Sequence, residues 1–382
     1  MRVMVSCGEP SGDLYAGALA AEILRKRPST EIVGFGGDRL EAAGARLLQN
    51  FSGLSVTGLL EVVRVLPRTY GTYRRLVEDA EATRPDVFVA VDFPDFNFVL
   101  ARALKKRGIP IVYYISPQLW AWRSGRMATM KRLVERVLVI FPFEEQIYRD
   151  AGVPVEWVGH PLFDVAPAPA PRDAFLRSIG IDPERPVVAL LPGSRTNELR
   201  AILPDLIAAA ALIRQQRPDV QFLLARAPHL RDELLAPLLG APLANRIVVV
   251  DGRADDVLAA ADAAVVASGT ITVQAALHGC PMVVVYRLSP MTYRLGKPFV
   301  RVETYAMPNL VAGRSVVREL IQDDFTPEAV ASETVRLLTD PHYAESMRSD
   351  LRDVAAKLGG TGASSRAADA VLAVAERRAH VG

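Results

Sequence analysis

The sequence predicts an α/β protein with two doubly wound domains, in each of which helices cover a parallel sheet. With 382 residues, the chain is longer than one hydrophobic core usually supports. Apolar strand patterns alternate with helix patterns, which is typical of right-handed βαβ units. Half of the residues, 50%, are hydrophobic, which is enough to cover both faces of large parallel sheets.

The alternation of strands and helices begins with the first residues and resumes after residue 171. From residue 327 onward the pattern is helical only. The predicted strands are 3–7, 31–35, 87–92, 110–115, 186–191, 220–225, 246–251, 263–267 and 281–286, and the helices predicted in the first half are 14–27 and 96–107.

A proline-rich segment between His160 and Pro171 separates the two halves. Alternating prolines exclude a helix and favour a stiff, extended linker. We therefore expect one Rossmann-like domain at residues 1–163 and another at 172–364, which face each other across a cleft that holds the active site. The helical tail is too long for one more crossover, so we expect its last helix, 365–382, to pack back on the first domain.

Two strand–loop–helix junctions in the second half carry the clearest chemical signal. One contains Ser194 and Arg195, and the other contains Ser268, Gly269 and Thr270. The first N–H groups of a helix have no intrahelical partner and attract an anion, and an arginine adds a charge with bidentate geometry suited to phosphate. Two such junctions predict a site for a nucleotide diphosphate. The alternative is that the two serines only cap helices.

A glycine-containing turn follows the first predicted strand. Gly8 and Gly12 allow a ligand to approach the backbone closely, and Ser11 or Asp13 is a candidate cap for the next helix. The turn lacks the G-x-G-x-x-G spacing of a dinucleotide site.

A carboxylate, Asp92, stands at the end of an otherwise apolar strand, where it can reach a substrate hydroxyl. Asp95 and Asn97 come just before a helical pattern, and we expect them to cap that helix. No third carboxylate or histidine is nearby in the sequence, so a metal site is not expected here.

Three further side chains are candidates for ligand contacts. His160 could contact a phosphate or simply hold the linker turn. Trp120 and Trp122 follow a predicted strand, where rings commonly stack on sugars or contact acyl chains; the alternative is packing in the core.

The composition argues against several kinds of partner and compartment for this chain. The 45 Lys+Arg against 43 Asp+Glu give a net charge of +2, so a nucleic-acid partner is not expected. Cys7 and Cys280 have no zinc-site spacing, which fits a reducing cytoplasm. The first apolar run is too short for a signal peptide, and no window approaches the roughly 20 apolar residues of a membrane span.

Two stretches that mix basic and apolar residues suit a membrane surface. Arg64, Arg68, Arg74 and Arg75 lie among Val, Leu and Tyr, and residues 282–302 repeat this pattern. Each cation near an anionic bilayer contributes about 1 kcal/mol. We expect a cytoplasmic protein bound peripherally at the inner face of the cytoplasmic membrane; the alternative is a solvated helix face.

Taken together and in order, several motifs resemble those of the lipid-A-disaccharide synthases over nearly the whole chain. The most specific are Asp-x-Pro-Asp-Phe-Asn at residues 92–97 and Ser-Pro-x-x-Trp-Ala-Trp at residues 116–122. The others lie at residues 7–13, 159–161, 191–198, 268–274 and 308–310. The resemblance implies a GT-B fold and an inverting, metal-independent glycosyl transfer that uses no cofactor. UDP-2,3-diacylglucosamine would be the donor and 2,3-diacylglucosamine 1-phosphate (lipid X) the acceptor, giving lipid A disaccharide 1-phosphate and UDP.

The resemblance also implies roles for individual residues. Asp92 would be the general base for the acceptor hydroxyl, and Asn309 would lie in the donor site. The diphosphate of UDP would be bound by Ser194, Arg195, Ser268, Gly269 and Thr270. The acceptor side would be formed by Gly8, Glu9, Ser11, Gly12, Asp13, Ser116, Trp120 and Trp122. One position departs from the family pattern: Gln274 stands where we expect a glutamate for the ribose hydroxyls, and a neutral amide is the weaker acceptor.

Two other functions would use similar diphosphate loops. One is that of a UDP-N-acetylglucosamine 2-epimerase, an isomerase on the same fold that would not need an acylated acceptor. The other is that of a catalytically silent protein that binds a sugar nucleotide. A carboxylate at a strand end, Asp92, argues against the second of these.

Overall fold

The structure of the protein is a computed structural model that describes residues 1–51, 59–119, 124–228, 230–236, 246–288 and 304–379. The chain divides into two compact units. Unit 1 comprises Met1–Val165 and Leu358–Gly382, and unit 2 comprises Ala166–Lys357. The first boundary therefore lies inside the proline-rich segment.

Unit 1 is built on a seven-stranded sheet in which all neighbouring strands are parallel. Its spatial order is β3-β2-β1-β4-β5-β6-β7. The central strand β4 is rich in valine and wholly buried, as expected for a strand with helices on both faces. The strands are β1 (Arg2–Ser6), β2 (Glu31–Gly36), β3 (Arg46–Asn50), β4 (Val87–Val91), β5 (Ile111–Tyr114), β6 (Arg136–Val139) and β7 (Val155–Trp157).

The helices of the first part of unit 1 connect these strands. They are α1 (Pro10–Lys26), α2 (Asp38–Ala42), α3 (Leu59–Thr83), α4 (Pro94–Lys105), α5 (Met127–Leu133), α6 (Pro142–Asp150) and α7 (Leu162–Val165). Proline begins α1 and α4, at a position where the missing N–H removes no intrahelical hydrogen bond. Both helices therefore begin earlier than the sequence pattern predicts.

Unit 2 has a six-stranded parallel sheet in the order β10-β9-β8-β11-β12-β13. The strands are β8 (Val187–Leu191), β9 (Gln221–Arg226), β10 (Ile247–Asp251), β11 (Ala263–Ala267), β12 (Met282–Tyr286) and β13 (Arg318–Ile321). The helices are α8 (Arg172–Ser178), α9 (Thr196–Gln216), α10 (Ala254–Ala260), α11 (Thr270–Leu277), α12 (Met307–Ala312), α13 (Pro327–Thr339) and α14 (Pro341–Lys357).

The strand order reverses at one point in each sheet, between β1 and β4 in unit 1 and between β8 and β11 in unit 2. Ligands of open α/β sheets bind outside the carboxyl ends of the strands at such points. In unit 1 the loops there are the glycine-containing turn and the loop that carries Asp92. In unit 2 they are the two junctions predicted to bind a diphosphate. The topology thus groups the predicted site residues within each unit.

The last helix, α15 (Ala363–Ala379), packs on α1 of unit 1. Ala367, Ala368 and Val371 on this helix are fully buried. The Asp164 carboxylate accepts hydrogen bonds from the backbone N–H groups of Gly362 and Ser364 at 2.5 and 2.7 Å. These two amides precede or begin the helix, so Asp164 caps it.

Every predicted strand is present, with ends that differ by at most one residue. The sequence pattern missed β3, β6, β7 and β13, of which β3, β7 and β13 lie at sheet edges. These strands are short and include charged or amide side chains, so they lack the continuous apolar run of a buried strand. Among the described residues, no helix has the length and apolar character needed to cross a membrane.

Candidate active site

Asp92 directly follows β4 and is half-buried, and its backbone is unusual. Its φ is +45°, and the next residue, Phe93, has a φ of +46°. On the neighbouring strand β5, Ile115 follows the last residue with a φ of +57°. Aspartate tolerates this left-handed region, but phenylalanine and β-branched isoleucine rarely adopt it. Such residues cost about 1–3 kcal/mol each and cluster at functional sites.

Buried side chains hold the Asp92 backbone in this conformation. The carbonyl oxygen of Asp92 accepts hydrogen bonds from Asn97 Nδ2 and from the Tyr113 hydroxyl, both at 2.8 Å. Asn97 Nδ2 also lies 3.2 and 3.3 Å from the carbonyl oxygens of Ser6 and Val91, and its Oδ1 accepts from Ser6 Oγ at 2.7 Å. Burial raises the pKa of Tyr113, and the nearby Asp92 carboxylate raises it further, so the hydroxyl stays protonated as a donor.

The prediction that Asp95 and Asn97 cap the helix is wrong. Phe93 occupies the N-cap position of α4, and Pro94 begins the helix. Asp95 lies in the first turn, where it forms an ion pair with Arg126 at 2.8 Å. Asn97 lies too deep in the helix to cap it and is fully buried. Its side-chain amide instead joins the ends of β1 and β4 through hydrogen bonds.

The glycine-containing turn supports the Asp92 loop through Gly8. A Cβ at Gly8 would lie 2.4 Å from the Phe93 ring, so only glycine leaves room for that ring. Phe93 packs in turn on Phe35 and Phe96, with ring centroids at 6.4 and 5.7 Å. The left-handed Phe93 is therefore fixed by aromatic packing against the turn.

The polar residues of the turn do not play the capping roles that the sequence predicts. Glu9, not Ser11 or Asp13, occupies the N-cap position of α1, so the predicted cap is wrong. The buried Asp13 carboxylate instead accepts hydrogen bonds from the N–H groups of Gly37, Arg39 and Leu40 at 2.8, 2.9 and 3.2 Å. Because these amides lie at the start of α2, Asp13 caps α2 rather than its own helix.

The acceptor-side candidates beyond β5 are only partly described. Ser116 is buried, and its hydroxyl contacts the hydroxyl of Tyr148. Tyr148 also lies 3.2 Å from the carbonyl oxygen of Pro117. Trp120 and Trp122 lie outside the described residues.

His160 holds the turn that leads to α7, which is one of its two predicted roles. Its Nδ1 accepts a hydrogen bond from the N–H of Leu162 at 3.1 Å, and its ring lies edge-on to Tyr15 and Phe141. It is 1% exposed, and burial lowers its pKa from 6.5 to about 3. The imidazole is therefore neutral at physiological pH and carries no charge for a phosphate.

Mutation of His160 is expected to remove part of the acid sensitivity of unit 1. The folded pKa of about 3 lies below the unfolded value of 6.5, so acid protonates the unfolded chain first. Stability is complete above pH 6.5 and falls as the pH drops towards 3. At pH 5 the loss is about 2 kcal/mol. Urea unfolding at pH 7.5 and 5.0 tests this. Between these two pH values, the free energy of unfolding of the wild type should fall by this amount more than that of His160→Asn, in which Oδ1 can replace Nδ1. Equal pH dependence in the two proteins would contradict the assignment.

In unit 2 the loop after β8 surrounds a carboxylate from its own helix. Arg195, not Ser194, is the N-cap residue of α9. The N–H groups of Ser194 and Arg195 donate to Glu198 Oε2 at 3.1 and 3.2 Å. The Arg195 guanidinium is half-exposed, with Nη1 at 3.5 Å from Glu198 Oε1. Gly193 has a φ of +111°, and a Cβ there would lie 2.5 Å from Glu198 Oε2, so glycine is needed for this turn.

The loop after β11 is tied to the segment before α12. Gly269, with a φ of +148°, is the N-cap residue of α11, and Ser268 Oγ donates to the carbonyl oxygen of Tyr305 at 3.3 Å. The alternative that Ser194 and Ser268 merely cap helices is therefore wrong, since neither occupies an N-cap position. Thr270 begins α11.

Asn309 and Glu319 hold the segment before α12, to which Ser268 is hydrogen-bonded through Tyr305. The buried Asn309 amide donates to Val317 O and Glu319 Oε1 at 2.9 and 2.7 Å, and its Oδ1 accepts from the N–H groups of Val316 and Val317. The Glu319 carboxylate also accepts from the N–H of Tyr305 at 2.8 Å. The contacts of Asn309 are thus those of a residue that holds the loop next to Ser268.

Two more side chains belong to this region of unit 2. Burial raises the pKa of Tyr286 at the end of β12, and the Glu198 charge raises it further, so this hydroxyl lies near the Arg195–Glu198 pair. Gln274 on α11 is half-buried and forms no side-chain hydrogen bond with the described residues.

The sequence pattern did not single out two residues of these sites. It missed Glu198, although a glutamate three residues after an N-cap position is a capping pattern. It also missed Tyr113, which only strand pairing brings to Asp92.

The part of the chain that the structure describes contains no group of three or more His, Cys, Asp or Glu side chains able to hold a metal ion.

Comparison with known proteins relates the whole chain to one family. The family model described as "Lipid-A-disaccharide synthetase" matches residues 3–374. The lipid-A-disaccharide synthase of Geobacter sulfurreducens is 44% identical over 374 residues, which cover 97% of this chain and 96% of the relative. That of Myxococcus xanthus is 43% identical over 372 residues and 97% of each chain.

Solved structures share the architecture at low identity. The UDP-GlcNAc 2-epimerase of Neisseria meningitidis, bound to UDP-GlcNAc, superposes with a TM-score of 0.67 at 14% identity and covers 97% of this chain and 100% of that chain. The calicheamicin glycosyltransferase CalG4 gives 0.61 at 17% identity and 98% of each chain. These likenesses concern the fold alone. They confirm the predicted α/β class and GT-B architecture.

Proposed function

The chain belongs to the family of lipid-A-disaccharide synthases and is a glycosyltransferase, and from this premise we propose its substrates and site. The donor is UDP-2,3-diacylglucosamine and the acceptor is 2,3-diacylglucosamine 1-phosphate. The products are the disaccharide 1-phosphate and UDP. The observation that carries this proposal is the family match across residues 3–374 at more than 40% identity to named synthases. The epimerase alternative rests only on fold likeness at 14% identity.

Asp92 is the proposed general base, and the observation in its favour is its placement. It lies at the switch point of unit 1 in a left-handed conformation that buried donors hold in place. A carboxylate there can accept the proton of the acceptor hydroxyl as the new glycosidic bond forms. Inversion requires the hydroxyl to attack from the side opposite to the leaving UDP, so the base and the diphosphate site are different groups of residues.

The diphosphate is the proposed ligand of the two loops at the switch point of unit 2. As UDP leaves, negative charge builds on its phosphate oxygens, and the Arg195 guanidinium and the first amides of α11 can stabilise it. The Ser194 and Arg195 amides bond Glu198 in this structure, so we assign the diphosphate to the Arg195 side chain and to Ser268, Gly269 and Thr270. Gln274, on the same helix as Thr270, is the proposed acceptor for a ribose hydroxyl.

The acceptor side is proposed to lie in unit 1, around the loops of the switch point there. Gly8 and Gly12 are buried and shape the turn rather than expose its backbone, while Glu9, Ser11 and the segment after Ser116 are the proposed contacts of this side. Asp13 and Ser116 act within it through the contacts that shape the loops rather than through a free side chain.

A mass-spectrometric assay with both acylated substrates tests the function. We expect formation of the disaccharide 1-phosphate with one UDP released for each disaccharide, and no UDP release when the acylated acceptor is omitted. An epimerase would instead convert UDP-N-acetylglucosamine without any acceptor. Binding of UDP without turnover in either assay would favour the silent binding protein.

Helix α3 is the proposed contact with the anionic lipid surface at the inner face of the cytoplasmic membrane. Arg68, Tyr70, Arg74 and Arg75 are exposed along it. Tyr70 is 63% exposed, and its ring stacks on that of Tyr73. Leu76 and Val77 of the same helix are buried, so the helix has a core face and a basic, aromatic face. The ion pair with Glu78 moderates the charge of Arg74, while Arg75 donates a hydrogen bond to the neutral amide of Gln49 and keeps its charge.

The side chain of Arg64 and residues 289–302, most of the second basic stretch, lie outside the described residues.

Flotation with anionic vesicles tests the membrane contact. Replacing Arg68, Arg74 and Arg75 with Gln should weaken binding by about fivefold for each side chain, since each contributes about 1 kcal/mol near the surface. The control replaces Arg25, Arg132 and Arg149, which are exposed elsewhere in unit 1, and removes the same charge. If both triple variants bind equally well, α3 is not the contact.

A further inference from the structure

The backbone of Asp92 is held by three hydrogen bonds. Its N–H donates to the carbonyl oxygen of Tyr114 at 3.1 Å, and its carbonyl oxygen accepts from Asn97 Nδ2 and the Tyr113 hydroxyl. Both donors are almost completely buried, with Asn97 at 0% and Tyr113 at 1% exposure. The strand β4 could end at this residue without the hydrogen bonds that these two side chains donate.

The direction of these bonds matters for the carboxylate. At a φ of +45°, the Cα–Cβ bond of Asp92 leaves the strand in a direction that an ordinary extended or helical backbone would not give. Rotation of the peptide between residues 92 and 93 would change the ψ of Asp92 and tilt the Cα–Cβ bond. The two donors hold the oxygen of that peptide and the Tyr114 carbonyl holds the N–H of Asp92, so together they fix the backbone from which the carboxylate extends.

The orientation of the Asn97 amide is itself fixed. Ser6 Oγ donates to Asn97 Oδ1 at 2.7 Å, which leaves Nδ2 facing the carbonyl oxygens of Asp92, Val91 and Ser6. The Tyr113 hydroxyl approaches from β5, the strand that pairs with β4 on the side opposite to β1. The Asp92 peptide is thus held from α4 and from the sheet at once.

We propose that Asn97 and Tyr113 are positioning residues that act on the glycosyl transfer through the orientation of Asp92, and this rests on the proposed role of Asp92 as the base. Neither side chain touches a substrate in this proposal. Each holds the Asp92 carbonyl oxygen, and the carboxylate is thereby kept in line with the acceptor hydroxyl. A role confined to packing would affect stability and leave the efficiency of the base unchanged.

Tyr113→Phe is the sharpest variant, because it removes one hydroxyl and keeps the ring in the core. We expect kcat to fall about 10- to 100-fold, the scale of a misplaced catalytic group, while the dissociation constant of UDP stays unchanged. Tyr114→Phe is the matched control: it is equally buried on the same strand but faces the opposite side of the sheet, and it should retain the wild-type kcat.

A double-mutant cycle separates positioning from packing. In the Asp92→Asn background no base remains to be positioned, so adding Tyr113→Phe should leave the residual rate unchanged. Asn97→Ala, which removes the Nδ2 donor, should give the same pattern and serves as a second variant, with thermal unfolding as the check that each protein is folded. Equal fold-losses in both backgrounds, or a wild-type kcat for Tyr113→Phe, would overturn the proposal. A near-normal rate for Asp92→Asn alone would instead refute the base assignment under the proposed function.

Discussion

Replacing Asp92 with asparagine is expected to lower the rate of disaccharide formation about 10²–10⁴-fold, which is the usual contribution of a general base. The amide keeps the shape of the carboxylate but cannot take the proton of the acceptor hydroxyl. Asparagine also tolerates the left-handed backbone of this position, so the loop should keep its conformation. Because the diphosphate is assigned to unit 2, the dissociation constant of UDP should not change.

Asp95→Asn is the matched control for this experiment. Asp95 is three residues away, its side chain is 74% exposed, and its partner is Arg126. An exposed pair of this kind contributes little to stability, so both folding and turnover should survive. The measurements are disaccharide formation rates beside UDP dissociation constants for the two variants. If Asp95→Asn is the inactive protein, the base has been assigned to the wrong carboxylate.

Arg195→Ala should affect binding and catalysis together. The guanidinium attracts the diphosphate in the ground state and meets additional charge as UDP departs, so both the UDP dissociation constant and kcat should deteriorate. The loss of one such charged donor costs about 10²–10³-fold in rate. The ion pair with Glu198 is weak because Arg195 is half-exposed, so its loss should hardly change the unfolding free energy.

Arg214→Ala controls for the loss of a positive charge, since Arg214 lies in the last turn of the same helix, α9. It should leave the UDP affinity within about twofold of wild type, because charges farther apart than a Debye length are largely screened. Calorimetric titration with UDP and initial rates would measure both effects. An Arg195→Ala protein that binds UDP normally would remove this residue from the diphosphate site.

The sequence predicts the buried part of the fold closely because buried parallel strands are continuous apolar runs. All five residues of β4 and of β11 are buried, and both strands were placed within one residue. The strands β7 and β13 could not be found in this way, since Glu156 and Glu319 interrupt their patterns. Their pairing depends on a sheet edge that the rest of the chain provides.

The position of the candidate site could be predicted, but the partners of its polar groups could not. A carboxylate or a glycine turn at the end of an apolar strand is visible in sequence, and so Asp92 and Ser268 were found. Whether a polar side chain is a cap, a ligand or an internal brace depends on neighbours from other elements. The sequence pattern predicts Asn97 as a helix cap, because the donors and acceptors of Ser6 and Asp92 come near it only when β1 and β4 pair.

Because α15 belongs to unit 1, the ribosome makes the last part of unit 1 after all of unit 2. Residues 166–357 have been synthesised before the helix that packs on α1 and contacts β4 and β5 is made. Until then the nascent chain exposes the apolar surface of unit 1 that Ala367, Ala368 and Val371 later cover. The usual order, in which the N-terminal domain folds first during translation, is therefore reversed for the completion of this protein. The core of the unit that carries Asp92 is therefore completed last.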